Sequence, residues 1–377
     1  MKKQRIAVFG GSFHPVHSGH IALAKHAKDV LSLDRVLFVV DRIPPHKTLA
    51  DGANDAQRVE MLRLAVANEP GFSVETLELE REGTSYTVDT LTELHAREPD
   101  ADFYFLMGSD MLLSFHTWRK PEEIAKLATL VCTIREGQSG GETEAAVDLT
   151  QRYNALIILL DQVSPLSSTE VRSRIHDAKP ITGLVETKQE HYIYLHGCYE
   201  PEELMPMYAR LHAELKPHRM EHTAYVVQTA IALAERFHVD PKKARLAALL
   251  HDCAKSFSAE QLIRYADTEP PILPILHAPA GADYAKNVYG VEDEEVLRAI
   301  RLHTTGDAGM SDLEKVVYLA DMIEPSRSYE GVNEIRNATD LNTMMRLALS
   351  RSIWYIKERN FEVHPATQRA LEDLGGN

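Results

Sequence analysis

At 377 residues the chain is longer than one hydrophobic core usually serves, so two domains are expected, each with room for an active site. A formal charge of −15 repels polyanions at large, which argues against a general DNA or RNA binder and requires any phosphate ligand to be captured locally. Apolar runs such as residues 155–160 fall far below the ~20 residues that cross a bilayer, and the opening run Ile6 to Phe9 is too short for a secretory signal. Cys132, Cys198 and Cys253 form no CxxC pair, so neither a disulfide framework nor a zinc knuckle is expected, and a reducing cytoplasm fits.

In chain order, short β-branched runs come first, at residues 5–9, 36–40, 103–107, 130–134 and 155–160. Between the second and third lie helical stretches at 55–68 and 87–97, the latter with Val88, Leu91 and Leu94 on one face. This alternation predicts a doubly wound, Rossmann-like α/β domain over residues 1–199, with ligands beyond the carboxyl ends of its strands. The loops after Phe9, Val40, Met107 and Leu160 should therefore converge on one cleft. The acidic stretch Glu136 to Asp148 reads as a surface loop. After Tyr199 amphipathic helices take over, as in Val227, Ala230, Ile231 and Ala234, then Ala244, Ala247 and Leu250. Residues 200–377 are thus expected to form an all-α domain, with the seam at Glu200 to Glu203.

Directly after the first strand stands Gly10-Gly11-Ser12-Phe13-His14-Pro15-Val16-His17-Ser18-Gly19-His20, which is neither a Walker loop nor a GxGxxG fingerprint. Glycines permit a close turn, and His17 and His20 at a helix start can face one anion. Incidental loop histidines would give the same short string. After the last strand comes Leu166-Ser167-Ser168-Thr169-Glu170-Val171-Arg172, where Ser167 and Glu170 make a capping-box pattern. Capping alone leaves Arg172 unexplained, whereas hydroxyls and an arginine at a helix N-terminus suit a triphosphate.

Together these strings resemble the HxGH and SSTxxR signatures of nucleotidyltransferases. Pro44-Pro45-His46-Lys47, Arg58 with Met61, Gly83 to Leu91, and Leu106-Met107-Gly108-Ser109-Asp110 with Trp118 narrow the resemblance to bacterial nicotinate-mononucleotide adenylyltransferases, over nearly all of residues 5–197. The resemblance implies an ATP site of Gly10, Gly11, Ser12, Phe13, His17, Gly19, His20, Gly108, Asp110, Ser168, Thr169 and Arg172. It also implies nicotinate mononucleotide at Ser85, Tyr86, Thr87 and Trp118, and His17, His20, Lys47, Arg172 and Mg²⁺ neutralising charge in the reaction. For Tyr86 and Trp118 ordinary core packing, and for Asp110 a helix cap, are the plain alternatives. The chain departs from the family pattern at His14, where an acid is expected, and at Val40-Asp41-Arg42-Ile43, which replaces a small-residue loop. Phosphopantetheine adenylyl transfer is the nearest competitor, but it has no use for the Ser85-Tyr86-Thr87 segment.

In the helical half, His222, His251-Asp252, His277, His303 and Asp321 are potential metal ligands. Any one of these histidines alone is more simply a satisfied core residue, but the ordered set is not. A histidine and an aspartate leaving the apolar Ala244 to Leu250 helix together need a compensating partner. The set resembles the HD superfamily of phosphohydrolases, closest to the iron-dependent symmetrical diadenosine tetraphosphatases, over about residues 205–370. The resemblance implies one metal held by His222, His251, Asp252 and Asp321, and a second held by Asp252, His277 and His303. The ligand types themselves suit iron, manganese, zinc or nickel equally; iron comes from the resemblance. Lys255, Thr304 and Arg327 are candidate polyphosphate contacts, with solvated surface positions as the alternative. Cys253 and Ala278 depart from the pattern without removing a ligand, and no extension near His303 points to cyclic-dinucleotide hydrolysis. The expectation is a bifunctional enzyme acting on ATP, nicotinate mononucleotide and diadenosine tetraphosphate, possible as a homo-oligomer. The competing expectation is an adenylyltransferase with a non-catalytic, nucleotide-sensing HD module.

Overall fold

The computed structural model describes residues 3–43, 52–134, 141–161, 166–268 and 271–375. They form two compact units, residues 1–173 with 181–190, and residues 174–180 with 191–377. The first contains strands β1 (Arg5–Gly11), β2 (Arg35–Val40), β3 (Phe72–Glu75), β4 (Asp102–Gly108), β5 (Thr129–Ile134) and β6 (Ile157–Asp161). All pair in parallel, in the order β3-β2-β1-β4-β5-β6. Such a sheet is buried on both faces, and the alternation of its side chains shows it. Ile6, Val8, Phe103, Phe105 and Leu130 enter one core, Ala7, Phe9, Val36, Phe38 and Val131 the other.

The chain winds outward to β2 from one side of β1 and returns to β4 on the other. This places the topological switch point between β1 and β4, beyond Gly11 and Gly108. β3 was not expected from the sequence. The surface loop expected over Glu136 to Asp148 is corrected in part: residues 142–148 belong to the helix Glu142–Tyr153, which buries Glu142 and Leu149, while 136–140 lie outside the described residues.

The second unit is helical, with no strand among its described residues. Helices Pro217–Phe237, Pro241–Leu250, His277–Asn287, Glu294–Leu302 and Asp312–Ile323 pack together. Ala224, Val227, Ala230, Ala247, Ala299, Val316 and Leu319 are among their fully buried residues. Small residues at such positions let the helices approach closely, so the polar ends of several helices can meet. Glu200, at the expected seam, is buried inside this unit and ion-paired with Arg245 at 2.7 Å. Among the described residues no helix is long and apolar enough to cross a membrane.

Candidate active sites

In the first unit the turn after β1 is clasped from several directions. Phe13 takes a left-handed backbone (φ 43°) and is held there by its ring, which packs 5.5 Å from Phe9, 5.6 Å from Phe38 and 5.3 Å from His20. Arg58, fully buried, donates to the carbonyls of Ser12 (2.6 Å) and Asp41 (2.7 Å) and to the Asp55 carboxylate (2.8 Å). It ties the turn after β1 to the turn after β2. The helix Ser168–His176 closes the far side: Ser168 Oγ donates to the Pro15 carbonyl (2.8 Å) and Arg172 to the His14 carbonyl (2.6 Å). Ser167 Oγ accepts the Glu170 amide at 3.2 Å, so the expected N-cap is present.

His17 stands at the N-cap of the helix Ser18–Val30, and its amide donates to His20 Nδ1 at 3.2 Å. That bond leaves Nε2 as the nitrogen of a neutral His20 that carries hydrogen. The two rings lie 3.7 Å apart between centroids. Burial pushes His17 down to about 4, so it is neutral at pH 7, and its Nδ1 makes no hydrogen bond among the described residues. At neutral pH His17 therefore presents a dipole and not a cation to the cavity it lines.

Two cavities open at the switch point. One of about 330 Å³ is lined by Gly10, Gly11, Ser12, Phe13, His17, Gly19, His20, Gly108, Asp110 and Ser168 of the expected ATP set. The other, of about 690 Å³, is lined by Ser85, Tyr86, Thr87 and Trp118 of the expected mononucleotide set. Gly10, Gly11, Asp110 and Met111 belong to both walls. Thr169 and Arg172 line neither; they bond each other at 3.2 Å and stand behind the clasped turn. Lys47, with Pro44 to His46, lies outside the described residues.

The larger cavity's wall is built around the helix Thr87–Arg97. Ser85 accepts the Arg42 amide at 3.1 Å and donates its own amide to the Ile43 carbonyl at 3.0 Å. Trp118 packs on Phe115 and Phe105, with centroids 5.3 and 5.9 Å away. Burial lifts the Glu78 carboxyl above its ordinary range, opposed by hydrogen bonds from Thr90 and Ser85.

In the second unit all six expected metal ligands come together, His251, Asp252, His277 and His303 at helix ends, His222 in the second turn of the helix Pro217–Phe237 and Asp321 in the last turn of Asp312–Ile323. His251 follows the helix Pro241–Leu250, His303 follows Glu294–Leu302, and His277 opens His277–Asn287. Each donates Nδ1–H to a backbone carbonyl: His251 to Ala248 (2.7 Å), His277 to Pro274 (2.9 Å), His303 to Ile300 (2.7 Å). A carbonyl only accepts, so the tautomer is set and all three Nε2 lone pairs face the site, that of His277 accepting from Lys255 Nζ at 2.9 Å. Asp252 Oδ1 lies 3.1 Å from His277 Nε2 and 3.6 Å from His303 Nε2. His222 Nε2 lies 3.0 Å from Asp321 Oδ1, while Glu324, fully buried, meets His222 Nδ1 at 3.3 Å. His222, His251 and Asp321 form one cluster with ligand atoms within 4.8 Å of one another, and His251, Asp252 and His303 form a second.

The electrostatics agree with this geometry. Burial drives His251 down to about 3 and lowers His277, keeping both neutral. Burial also opposes the charged form of Asp252, yet its carboxyl lies well below the usual carboxylate range, with the Lys255 ammonium 3.3 Å and the Arg219 guanidinium 3.6 Å away. Burial disfavours the charged form of His222 as well, yet its hydrogen bonds to Asp321 and Glu324 outweigh that and raise it to about 9. Among the described residues His251 Nε2 is buried without a hydrogen bond, a costly state that a cation would relieve. Neutral His251 and His277 with the ionised carboxylates fit a divalent transition metal, and His222, protonated between Asp321 and Glu324, would give up a proton to join them. Lys255 reaches Asp252 (3.3 Å) and Arg327 reaches Asp321 (2.6 Å), and Thr304 Oγ1 is buried without a hydrogen bond among the described residues.

Residues 8–174 match the Cytidylyltransferase-like family and residues 219–326 the HD domain. A Gloeobacter violaceus protein named "Probable nicotinate-nucleotide adenylyltransferase" is 36% identical over 199 residues, 52% of this chain and 97% of that protein. A Mycoplasma pneumoniae protein named "Probable nicotinate-nucleotide adenylyltransferase/Ap4A hydrolase" is 31% identical over 345 residues, spanning 90% of this chain and 94% of its own length. The chain belongs to the nicotinate-nucleotide adenylyltransferase/Ap4A hydrolase family. A Clostridium acetobutylicum structure titled "predicted HD superfamily hydrolase involved in NAD metabolism" shares 36% identity across 44% of this chain and 93% of that one, with a TM-score of 0.41.

Three residues of this adenylyltransferase/hydrolase family member escape the sequence reading. Arg219 reaches Asp252 at 3.6 Å, although it sits inside the string that contains His222. Glu324 orients His222, and its signal is its place three residues after Asp321, at the end of the same helix. Asp41, noted in the sequence only as a departure, is buried beside Arg58 at 3.4 Å and lines the larger cavity.

Proposed function

We propose that the first unit transfers AMP from ATP to nicotinate mononucleotide, giving deamido-NAD and pyrophosphate, and that the second hydrolyses diadenosine tetraphosphate to two ADP. The names borne by the relatives support both halves. The observation that carries the transferase is the pair of cavities sharing Gly10, Gly11 and Asp110, which suits two nucleotides meeting at their phosphates.

In that reaction a phosphate oxygen of the mononucleotide forms a bond to the α-phosphorus of ATP, and the bond to the β-phosphate breaks. The attacking oxygen is already anionic, so the protein needs neither nucleophile nor base. Its task is positioning and charge stabilisation. Nε2–H of His20 would face the phosphates, with neutral His17 beside it on the wall of the smaller cavity. ATP enters as its Mg²⁺ complex. Arg58, Ser168 and Arg172 hold the turn in the shape that presents these donors. Trp118 and Tyr86 offer aromatic surface to the pyridine ring. Incubating the chain with MgATP and nicotinate mononucleotide and resolving products by chromatography tests this; absence of dinucleotide and pyrophosphate contradicts it.

For the second unit, the converging Nε2 atoms and two carboxylates carry the reading. His222, His251, Asp252, His277, His303 and Asp321 would hold the metal, iron by family resemblance, which supplies Lewis acidity and a water of lowered pKa when bound. Glu324 orients His222, and the Ala248, Pro274 and Ile300 carbonyls orient the other histidines. Arg219, Lys255 and Arg327 put cations beside the two carboxylates, where a tetraphosphate chain needs neutralising. Water adds to one of the two central phosphorus atoms and loses a proton, the bond from that same phosphorus to the bridging oxygen breaks, and the oxygen leaves with the other half, so both products are ADP. Turnover of diadenosine tetraphosphate separates this from a nucleotide-sensing module, which binds and leaves the ligand intact.

A further inference from the structure

The helix Asp312–Ile323, which carries Asp321, stops where the sequence forces it to. Pro325 has no amide hydrogen and drives the residue before it out of the helical region, and Glu324 accordingly takes φ −53° and ψ 157°. A helix end leaves its last four carbonyls without a helical partner, and no glycine directly follows to let the backbone turn back on them. The Glu324 amide still reaches the Ala320 carbonyl, but the next three carbonyls are met by side chains. Arg327 Nε donates to that of Asp321 at 3.1 Å, the Tyr329 hydroxyl to that of Met322 at 3.0 Å and Arg336 Nε to that of Ile323 at 2.9 Å.

Arg336 does more than cap. Its Nη2 also donates to the carbonyls of Glu324 (2.8 Å) and Arg327 (3.0 Å), so one guanidinium spans the turn from 323 to 327. Both residues of that turn bear side chains directed at the metal cluster: Glu324 meets His222 Nδ1 at 3.3 Å and Arg327 meets Asp321 Oδ1 at 2.6 Å. Arg336 is itself fixed by the helix Val332–Asn337, which buries Val332 and Ile335, and by Asn333 Oδ1 at 3.2 Å. A cation on carbonyls at a helix C-terminus is a charge-assisted contact that the helix dipole favours. None of these bonds reaches His277 or His303, which are held by the Pro274 and Ile300 carbonyls.

We infer that Arg336 is a positioning residue for the His222–His251–Asp321 half of the metal centre, acting through Glu324 and Arg327; this rests on the metal reading above. It sets how tightly that half holds its ion and leaves the His277 and His303 half alone.

The test is Mn²⁺ binding to the full chain, with free Mn²⁺ followed by electron paramagnetic resonance, and melting temperatures to confirm folding. Wild type, Arg336→Met and Arg336→Lys are compared, each also with His222→Ala or His303→Ala added. Arg336→Met should weaken one Mn²⁺ site roughly tenfold, the lower end for an outer partner of metal ligands. Arg336→Lys, which keeps a cation for one carbonyl, should recover part of that loss, and it carries the comparison if Arg336→Met does not fold. The loss should persist beside His303→Ala and vanish beside His222→Ala. Equal weakening in both backgrounds, as a general loosening of the unit would give, overturns the inference, as does an unchanged affinity whatever the melting temperature does. A wild type that binds no Mn²⁺ overturns the metal reading and the inference with it, whereas one that binds Mn²⁺ and leaves diadenosine tetraphosphate intact overturns the hydrolase reading alone.

Discussion

Arg172 donates to the backbone carbonyl of His14 at 2.6 Å across a separation of 158 residues, joining the turn after β1 to the helix after β6. The two strings that look independent in the sequence are thus one object. A guanidinium on a carbonyl is a charge-assisted hydrogen bond, and beside it Ser168 Oγ secures the Pro15 carbonyl at 2.8 Å. Arg172→Ala should therefore lower kcat/KM of dinucleotide synthesis by roughly 100-fold, from about 2–3 kcal/mol of lost positioning, while ADP release from diadenosine tetraphosphate stays unchanged. Steady-state kinetics on both substrates measure it, and a parallel loss in both reactions would contradict it.

Arg58 is the stability counterpart. Its guanidinium is fully buried on two carbonyls and two carboxylates, so Arg58→Met leaves polar groups behind with no partner of matching charge. A loss of about 3–5 kcal/mol is expected. Denaturant unfolding followed in the first unit checks it, and a loss below about 1 kcal/mol would show that the ring of bonds matters little.

His17 predicts a pH dependence whose sign follows from burial. Its folded value, about 4, lies below the ordinary 6.5, so between these values the unfolded chain binds the extra proton. The neutral ring's contribution is fully present above pH 6.5 and fades as the pH falls towards 4. His17→Asn should flatten this limb of the stability curve between pH 6.5 and 4 relative to wild type. NMR titration of the His17 ring reports the value directly, and an ordinary value near 6.5 would contradict the account.

Much of this architecture is legible in the sequence, because local signals cover it. Parallel strands read as β-branched runs, and the helix Thr87–Arg97 shows its face through Val88, Leu91 and Leu94. β3 escapes because it is four residues long and only half-buried, so it has neither a run nor a clean alternation. The helix Glu142–Tyr153 escapes because its acidic first turn suggests a loop, while its anchors, Glu142 and Leu149, are buried by tertiary contact. In the sites, residues of the motif types are found directly. Those that act by pairing across long separations, Arg219 on Asp252 and Asp41 on Arg58, carry no local signature.

Metal should stabilise the second unit selectively. Three lone pairs and two carboxylates are held together in the fold, and an ion that binds only the folded state adds about 2.7 kcal/mol at a free concentration of 100 times Kd. Chelation should lower the melting temperature of this unit, and Asp252→Asn should abolish the difference. Calorimetry with and without chelator checks it; equal curves would contradict the metal reading.

The central claim is that one chain carries two separate active sites, and a reciprocal assay on a single anaerobic, iron-loaded preparation tests it most directly. Wild type, His20→Ala and Asp252→Ala are each given MgATP with nicotinate mononucleotide, and separately diadenosine tetraphosphate. The account predicts dinucleotide and ADP from the wild type, loss of dinucleotide alone in His20→Ala, and loss of ADP alone in Asp252→Ala. No ADP with iron, manganese or zinc, or one substitution silencing both reactions, would contradict it.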